Sequence, residues 1–261
     1  MIETKDKIAV AKMAKAGTFL AQIFESLADR IVPGVTTSEI DAWIEGELTR
    51  NDLRSETKGY MGYAHVSCVS VNDEVVHGVP SGRRALKDGD ILSVDVCASW
   101  QGYCADMART FFVGAVSEKA TQFVSAARQA LDEGIKQVRP GNRLSDVSAA
   151  IQRAVEKRGY GVVRDFAGHG IGRRMHEEPE ILNYGKPGSG PVLRAGMTLA
   201  IEPMITMGRY DVHITDDGWT VKTDDGSLAA HVEDTVLVTE SGAQILTRGS
   251  SDFVNPGVEQ I

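Results

Sequence analysis

Cysteine, positive charge and long apolar segments are all scarce in this sequence. The three cysteines are too few, and odd in number, for a disulfide framework, which suits a reducing compartment. The sequence has no run of about 20 apolar residues that would span a bilayer. Its first residues also lack the basic, apolar and small-residue sections of a secretory signal. We therefore expect a cytoplasmic protein that does not enter membranes.

The balance of charge excludes another class of partner. The chain carries 28 lysine and arginine residues against 36 aspartate and glutamate residues, which gives a net charge of -8. Such a surface disfavours long-range attraction to DNA or anionic lipid, so we expect neither as a partner. At 261 residues, with 42% hydrophobic and 25% charged residues, the composition is that of a globular protein. We expect one domain over residues 1–261.

An internal repeat relates two parts of the chain at an offset of 107 residues. Pro33 matches Pro140, and the same offset carries Asp95 onto Glu202. Because only two copies exist, we interpret the repeat as two pseudo-symmetric halves that pack about an approximate two-fold axis. The halves occupy approximately residues 5–113 and 118–247.

Each half has the pattern of two helices followed by strands. Apolar residues recur at helical spacing between Met13 and Leu27, and Thr36 with Glu39 has the spacing of a capping box at the start of a second helix. The matching helices of the second half are expected around 123–138 and 147–155. Strands are predicted at Val66–Val71, Ile91–Val96, Thr110–Val113, Thr198–Ile205 and Thr235–Val238. This order predicts an α+β fold with four helices covering a curved, mostly antiparallel sheet.

Acidic residues interrupt or adjoin the predicted strands. Asp95 lies in the first half and Asp106 on the strand that returns after a turn near Gln101, while Glu202 and Glu233 lie in the second half. Two aspartates so placed are expected opposite or diagonal to each other. Burying unpaired carboxylates costs several kcal/mol each, so a converging group favours a site for cations. Hydrated surface acids are the alternative reading.

One histidine adds nitrogen to this set of oxygens. His169 lies in the glycine-rich segment Gly168–Gly172. A nitrogen ligand beside carboxylates suits Mn, Fe, Co or Zn better than Mg or Ca. A dinucleotide-binding loop is rejected, because the segment lacks the strand before it and the helix after it.

Several motifs give a resemblance to a known family. The order Asp95, Asp106, His169, Glu202 and Glu233 resembles that of the type I methionine aminopeptidases, which have the pita-bread fold. The most specific motifs are VHGVP at Val76–Pro80, GHGIGRRMHEEP at Gly168–Pro179, GMTLAIEPM at Gly196–Met204 and DGWTVKT at Asp217–Thr223. The match spans nearly the whole chain, so the resemblance implies a hydrolase that removes the N-terminal methionine of proteins.

The resemblance also implies a role for each acidic residue. Asp106 and Glu233 would bridge two divalent metal ions (Co, Mn, Fe or Zn), Asp95 would bind one of them, and His169 and Glu202 would complete the shell of the other. Glu202 would also accept a proton during attack. Two metals lower the pKa of a shared water and polarise the scissile carbonyl. Such a pair would receive the free α-amine, which restricts the activity to chain termini.

Further residues are assigned to the substrate by the same resemblance. His77 and His176 would donate hydrogen bonds to the substrate amide and to the developing oxyanion. An apolar pocket that suits a thioether would be lined by Tyr60, Tyr63, Cys68, Met175 and Trp219. Only a small second residue would fit beside the scissile bond. Partners would be peptides with N-terminal methionine and nascent chains met at the ribosome, and the protein is expected to be a monomer.

Some positions depart from the family pattern. Met175 stands where phenylalanine is usual, Ala64-His65-Val66 replaces a Pro-Lys-Ser-like stretch, and His231 and Asp234 flank Glu233 where glutamine and histidine are common. None of these changes removes a proposed ligand. We expect them to affect the pocket and the surroundings of Glu233.

Two other functions are weighed against this one. Proline-specific aminopeptidases have the same fold and a similar order of ligands, but they usually carry a long N-terminal domain. A metal-free relative would use the same cleft as a binding module, and such relatives lose ligands. All five proposed ligands are present in this sequence, which favours the metal-dependent enzyme.

Overall fold

Two helices begin each half of the chain. The computed structural model of the protein describes residues 2–248. The helices are α1 (Lys7–Leu27), α2 (Thr37–Arg50), α3 (Glu118–Ile135) and α4 (Leu144–Glu156). The predicted capping box is confirmed: Glu39 N donates to Thr36 Oγ1 at 3.2 Å, and Thr36 N donates to Glu39 Oε2 at 2.8 Å. Among residues 2–248, no helix combines the length and apolarity needed to cross a bilayer.

The strands form one large curved sheet and two small ones. Their bounds are β1 (Arg54–Ser55), β2 (Cys68–Val71), β3 (Glu74–Val76), β4 (Ile91–Trp100), β5 (Tyr103–Phe112), β6 (Gly161–Val162), β7 (Gly168–Gly170), β8 (Glu177–Ile181), β9 (Thr198–Ile201), β10 (Met204–Thr206), β11 (Val212–Ile214), β12 (Val221–Thr223), β13 (Ala229–His231), β14 (Glu233–Thr239) and β15 (Gly242–Ile245). The large sheet has the order β1-β4-β5-β14-β9-β7-β8, with β2 beside β4 and β15 beside β14. The small sheets have the orders β13-β10-β6 and β11-β12-β3. The pairings are antiparallel, so the predicted α+β fold is confirmed.

The two halves repeat each other in detail. Gly34 N donates to Leu86 O at 2.8 Å, and Gly141 N donates to Leu193 O at 3.0 Å, so both contacts recur at the offset of 107 residues. Isolated bridges join Thr36 to Ala85 and Arg143 to Val192 at the same offset. The pseudo-symmetry predicted from the sequence is therefore present in the backbone contacts.

The hairpin of β4 and β5 places the first two acids. Its two-residue turn has positive φ at Gln101 (48°) and Gly102 (77°), which matches the twist of the strands. Asp95 pairs with Ala108, so Asp106 lies two residues away from the position directly opposite Asp95. The two aspartates are diagonal neighbours on one face, as predicted. On the other face, alternate residues of β4 pack into the core under α1 and α2.

Some predicted strand bounds are wrong. The run Thr198–Ile205 is not one strand, because β9 ends at Ile201 and β10 starts at Met204. Pro203 lacks the N–H that a continuous ladder needs, so the chain leaves the large sheet at Glu202 and joins a small one. The strand expected at Thr110–Val113 is the end of the longer β5, and the run Val66–Val71 pairs only from Cys68.

Candidate metal centre and substrate cavity

Five adjacent strands deliver the five predicted metal ligands. The spatial order of these strands is β4-β5-β14-β9-β7. Four of them carry a ligand, and β9 ends one residue before its ligand; in the same order the ligands are Asp95, Asp106, Glu233, Glu202 and His169. Neighbouring strands lie about 5 Å apart, so the order alone brings these side chains into a short row. Residues that are distant in sequence therefore meet on one face of the sheet.

The distances within this row suit a group of ligands. His169 Nε2 lies 3.5 Å from Glu202 Oε1 and 3.9 Å from Asp106 Oδ2. One ligand atom each of Asp106, His169 and Glu233 lies within 4.8 Å of the others, and the same holds for Glu202, His231 and Glu233. Glu233 belongs to both groups, which is the arrangement expected of a bridging carboxylate.

Burial sets the electrostatics of the four carboxylates. Desolvation raises the pKa of Asp106 to about 7, with the charge of Glu202 as the next cause, and raises the pKa of Glu202 to about 8. Burial, followed by repulsion from Asp106, also raises the pKa values of Asp95 and Glu233 well above their ordinary range. The fold therefore holds several acids where their ionised forms need compensating positive charge.

Two observations test whether these residues fit a metal. Glu233 Oε1 is buried and has no hydrogen-bond partner within residues 2–248. His169 Nδ1 lies 2.9 Å from the Gly170 carbonyl oxygen, and because a carbonyl only accepts, Nδ1 carries the proton. The lone pair of Nε2 then faces the carboxylates, as metal-binding histidines usually present it. The donor set therefore fits a divalent cation centre.

Two further histidines border this row. His77 has a left-handed backbone with φ of 58°, a conformation that costs a non-glycine residue about 1–3 kcal/mol. Its ring packs at 85° against Phe166, and burial lowers its pKa to about 4. His176 packs edge-on against His169 with ring centroids 4.4 Å apart, and its Nδ1 lies 3.0 Å from the Tyr60 hydroxyl. Both histidines are thus held beside the proposed ligands, and His77 is neutral at pH 7.

A cavity of about 210 Å³ connects the acids to an apolar wall. The Tyr63 ring lies 4.9 Å from that of Trp219, and its hydroxyl donates to the Ser67 carbonyl oxygen at 3.1 Å. Burial raises the pKa of the Cys68 thiol well above its ordinary value, so the wall is neutral. The structure brings every predicted site residue to this cavity, which is lined by Tyr60, Tyr63, Cys68, His77, Asp95, Asp106, His169, Met175, His176, Glu202, Trp219 and Glu233.

A larger cavity of about 490 Å³ lies against α1 and α3, and its described lining includes none of the predicted site residues. Arg109 separates it from the acids, because its guanidinium donates to the Glu233 carbonyl oxygen and to Asp234 Oδ1. Asp234 also accepts from Arg248 at 2.8 Å. Asp234 therefore points away from the ligands and anchors the start of β14.

Sequence reasoning missed part of the cavity. Thr57, Met61 and Cys97 also line it. Asn183 donates to the Glu202 carbonyl oxygen at 3.0 Å and so helps hold that residue after its strand ends. His231 was noted only as a neighbour of Glu233, yet it joins a group of ligand atoms. The pairing of β13 with β10 places His231 beside the acids, and no local sequence motif predicts that pairing.

Comparison with known proteins agrees with this geometry. Residues 11–240 match the model of metallopeptidase family M24. The methionine aminopeptidase of Clostridium acetobutylicum is 45% identical over 247 residues, which cover 95% of this chain and 99% of that protein. The crystal structure of methionine aminopeptidase from Thermotoga maritima superposes with a TM-score of 0.94 at 46% identity, covering 95% of this chain and 100% of that one.

A more distant neighbour bears on the alternative of a proline-specific peptidase. The prolidase from Pyrococcus furiosus superposes with a TM-score of 0.75 at 24% identity, and the match covers 95% of this chain but 66% of that one. At this identity the likeness shows the shared pita-bread fold alone. The chain therefore belongs to metallopeptidase family M24, and its predicted membership of the type I methionine aminopeptidases is confirmed.

Proposed function

We propose that the chain is a metal-dependent aminopeptidase that removes the N-terminal methionine of peptides and nascent proteins and prefers a small second residue. The observation that carries the proposal is the convergence of all predicted ligands, both donor histidines and the apolar wall on one cavity. Relatives of nearly full length that are named methionine aminopeptidases support the same activity. A binding module would not need a row of buried acids that raise each other's pKa values.

We propose that two divalent ions, drawn from Co, Mn, Fe and Zn, bind in the row of acids. Asp106 and Glu233 would contact both, and Asp95, His169 and Glu202 would complete the set. When bound, the pair supplies a water of lowered pKa and a Lewis acid for the scissile carbonyl. The unpartnered Oε1 of Glu233 and the exposed lone pair of His169 Nε2 support this assignment.

Glu202 is the residue assigned to proton transfer. It follows β9, and its carboxylate lies beside His169 with 13% of the side chain exposed. A carboxylate that adjoins the proposed metal site is placed to act as a general base for the attacking water. Glu202 therefore accepts the proton of the attacking water at a carboxylate oxygen and returns it to the departing amine.

His77 and His176 are assigned to hydrogen-bond donation. They reach the cavity from opposite halves, one after β3 and the other before β8. A donor fixed in advance stabilises the developing oxyanion without reorganisation during the reaction. The contact of His176 Nδ1 with Tyr60 leaves its Nε2 free to face the substrate. The left-handed backbone of His77 is a strained conformation, and it holds the side chain in this fixed position.

The apolar wall selects the methionine side chain. Tyr60, Tyr63, Cys68, Met175 and Trp219 provide aromatic and sulfur surfaces, which make favourable contacts with a thioether. The cavity of about 210 Å³ limits the site to one side chain of moderate size. The limit at the second residue is carried over from the family: only a small residue fits beside the scissile bond, so turnover falls as that residue grows.

We also propose the domain organisation, the assembly and the location of the chain. Residues 1–261 are taken as a single catalytic domain, although this range extends past the described residues at both ends. The exposed large apolar residues in the described part are scattered, apart from Tyr60 and Met61 at the cavity, which supports a monomer. A cytoplasmic location and an encounter with nascent chains at the ribosome are carried over from the family. Analytical ultracentrifugation tests the monomer.

A peptide panel tests the activity. Met-Ala-Ser, Met-Leu-Ser and Leu-Ala-Ser are each incubated with the chain and Mn²⁺, Fe²⁺ or Co²⁺, and released amino acids are quantified. We expect rapid release from Met-Ala-Ser, slow release from Met-Leu-Ser and none from Leu-Ala-Ser. Equal cleavage of all three would refute methionine specificity. Inactivity with each metal, despite bound metal, would refute the enzyme assignment.

A further inference from the structure

His231 enters the row of acids from a different sheet. It ends β13, which pairs with β10 so that His231 lies opposite Met204. Its backbone N–H donates to Ser93 Oγ at 3.2 Å, and its carbonyl oxygen accepts from Thr110 Oγ1 at 3.0 Å. These contacts tie it to β4 and β5, the strands of Asp95 and Asp106. The position of the ring is therefore fixed relative to the ligands.

The side chain of His231 is buried, with 2% of the residue exposed, and one ring nitrogen is unpartnered. Its Nε2 has no hydrogen-bond partner within residues 2–248. It lies 3.4 Å from Glu202 Oε2, a contact whose geometry is not that of a hydrogen bond. A buried polar atom left unsatisfied costs about 1–3 kcal/mol, so a fold that retains one needs a compensating ligand.

The surroundings of Glu202 are those of a cation site. His169 Nε2 lies 3.5 Å from one carboxylate oxygen of Glu202, and His231 Nε2 lies 3.4 Å from the other. Each histidine belongs to a separate group of possible ligands, and each group also contains Glu233. The two groups have the same composition of two carboxylates and one imidazole. A nitrogen so placed has the surroundings of a metal ligand.

We propose that His231 is a sixth ligand of the metal centre, which binds one ion through Nε2 together with Glu202 and Glu233. This inference rests on the metal centre of the proposed function and goes beyond the five ligands of the family pattern, where glutamine is common at this position. Imidazole strengthens binding of later transition ions, whereas carboxylate and amide oxygens suit Mn²⁺. His231 therefore shifts the centre toward Co²⁺ and away from Mn²⁺.

Metal affinity measured without turnover tests the role. The full chain, stripped of metal, is titrated calorimetrically with Co²⁺ and with Mn²⁺, and the visible absorption of the Co²⁺ form is recorded. In His231→Gln we expect the Co²⁺ affinity to fall by about tenfold or more. Removing a group that only supports a ligand already lowers metal affinity by about 10–100-fold, so removing a ligand should cost at least as much. We expect Mn²⁺ affinity to change by less than about threefold, and the Co²⁺ bands to shift. The matched control is His65→Gln, because His65 pairs with Asp41 at 3.0 Å outside both groups.

The outcomes distinguish the proposal that His231 is a ligand from the proposal that the chain has a metal centre at all. His231 is not a ligand if His231→Gln keeps three properties of the unmodified chain: its Co²⁺ affinity, its preference for Co²⁺ over Mn²⁺ and its Co²⁺ spectrum. A fall in turnover alone would not support the proposal, because the variant also removes a contact that positions Glu202. If the unmodified chain binds neither ion, the metal centre itself is refuted. Should the variant fail to fold, a crystal structure of the Co²⁺-loaded unmodified chain decides: Nε2 of His231 at about 2.1 Å from an ion supports the proposal, and a distance above about 3 Å overturns it.

Discussion

The two halves of the molecule share their scaffold but differ in their chemistry. Both use the same glycine contacts at Gly34 and Gly141, and both place an acid at the matching positions Asp95 and Glu202. The strand of the first half continues five residues past its acid to Trp100, whereas that of the second half ends before Glu202. The two halves therefore match in the contacts that support packing and differ in the strands that carry the proposed ligands.

The donor atoms differ in the same way. Among the proposed ligands, the first half supplies Asp95 and Asp106, which offer only oxygen, while the second half supplies the imidazole of His169. A regular hairpin suffices to place two aspartates. The second half uses short strands and a proline break to bring in nitrogen and a carboxylate that accepts a proton. On the proposed assignments, the first half supplies ligands alone, whereas the second half supplies both ligands and the residue that transfers a proton.

The largest effect is expected when a proposed bridging residue is removed, which tests the comparison between the halves most severely. Asp106→Ala is expected to lose both metals and turnover, because one carboxylate serves both ions, even though Asp106 belongs to the half that supplies ligands alone. Metal content by mass spectrometry, turnover and far-ultraviolet circular dichroism are measured together. Retained turnover, or loss of a single ion, would contradict the bridging assignment. An unchanged dichroism spectrum shows that the fold survives.

The matching acids Asp95 and Glu202 give the sharpest contrast between the halves. At saturating metal, Glu202→Gln is expected to lower kcat by about 10²–10⁴-fold, the usual contribution of a general base. Asp95→Asn keeps the base, so we expect excess metal to restore most of its turnover. Both are measured on Met-Ala-Ser over a range of metal concentrations. Equal recovery of the two variants would mean that the halves do not differ in role.

The pH dependence of stability tests the acids of both halves together. Burial raises the pKa values of Asp106 and Glu202 to about 7 and about 8, so the native metal-free chain binds protons more tightly than the unfolded chain. Above about pH 6.5, where the histidines of the unfolded chain are already neutral, its free energy of unfolding therefore falls as pH rises to about 8. We expect the gap in melting temperature between metal-loaded and metal-free protein to widen over this range by several degrees, since about 1 kcal/mol moves it by about 2–4 °C. A constant or narrowing gap in scanning calorimetry contradicts this.

The smallest expected difference concerns the helix starts. Thr36 accepts a hydrogen bond from a helix N–H through its side chain, whereas the matching Arg143 has no side-chain acceptor. The backbone N–H of Arg143 donates to Asp146 at 2.8 Å, and its exposed guanidinium donates to the Gly190 carbonyl oxygen at 2.9 Å. Thr36→Ala should reduce the free energy of unfolding by about 1 kcal/mol. Arg143→Ala should change it by less than about 0.5 kcal/mol, as surface substitutions do. Denaturant unfolding compares the two, and equal losses would show that the caps are equivalent.

Much of the site could be predicted because its signals are local or repeated. The diagonal placement of Asp95 and Asp106 follows from the length of one turn, and the matching of Asp95 with Glu202 follows from the repeat. The apolar wall was predicted from family resemblance, since nothing local distinguishes Tyr63 from a core tyrosine. The missing N–H of Pro203 is enough to predict the break there, but the apolar pattern of Thr198–Ile205 taken alone favours one continuous strand. The approach of His231 to Glu202 was not predictable, because it depends on pairing between two short strands of a small sheet.

The position of β14 controls when this site can exist. This strand pairs with β5 on one side and β9 on the other, so it is the element that joins the sheets of the two halves. It also brings Glu233, and it comes after nearly all the other strands in order of synthesis. A fragment that ends before β14 lacks both the strand that joins the two halves and the carboxylate of Glu233. The site is therefore complete only when β14 lies between β5 and β9.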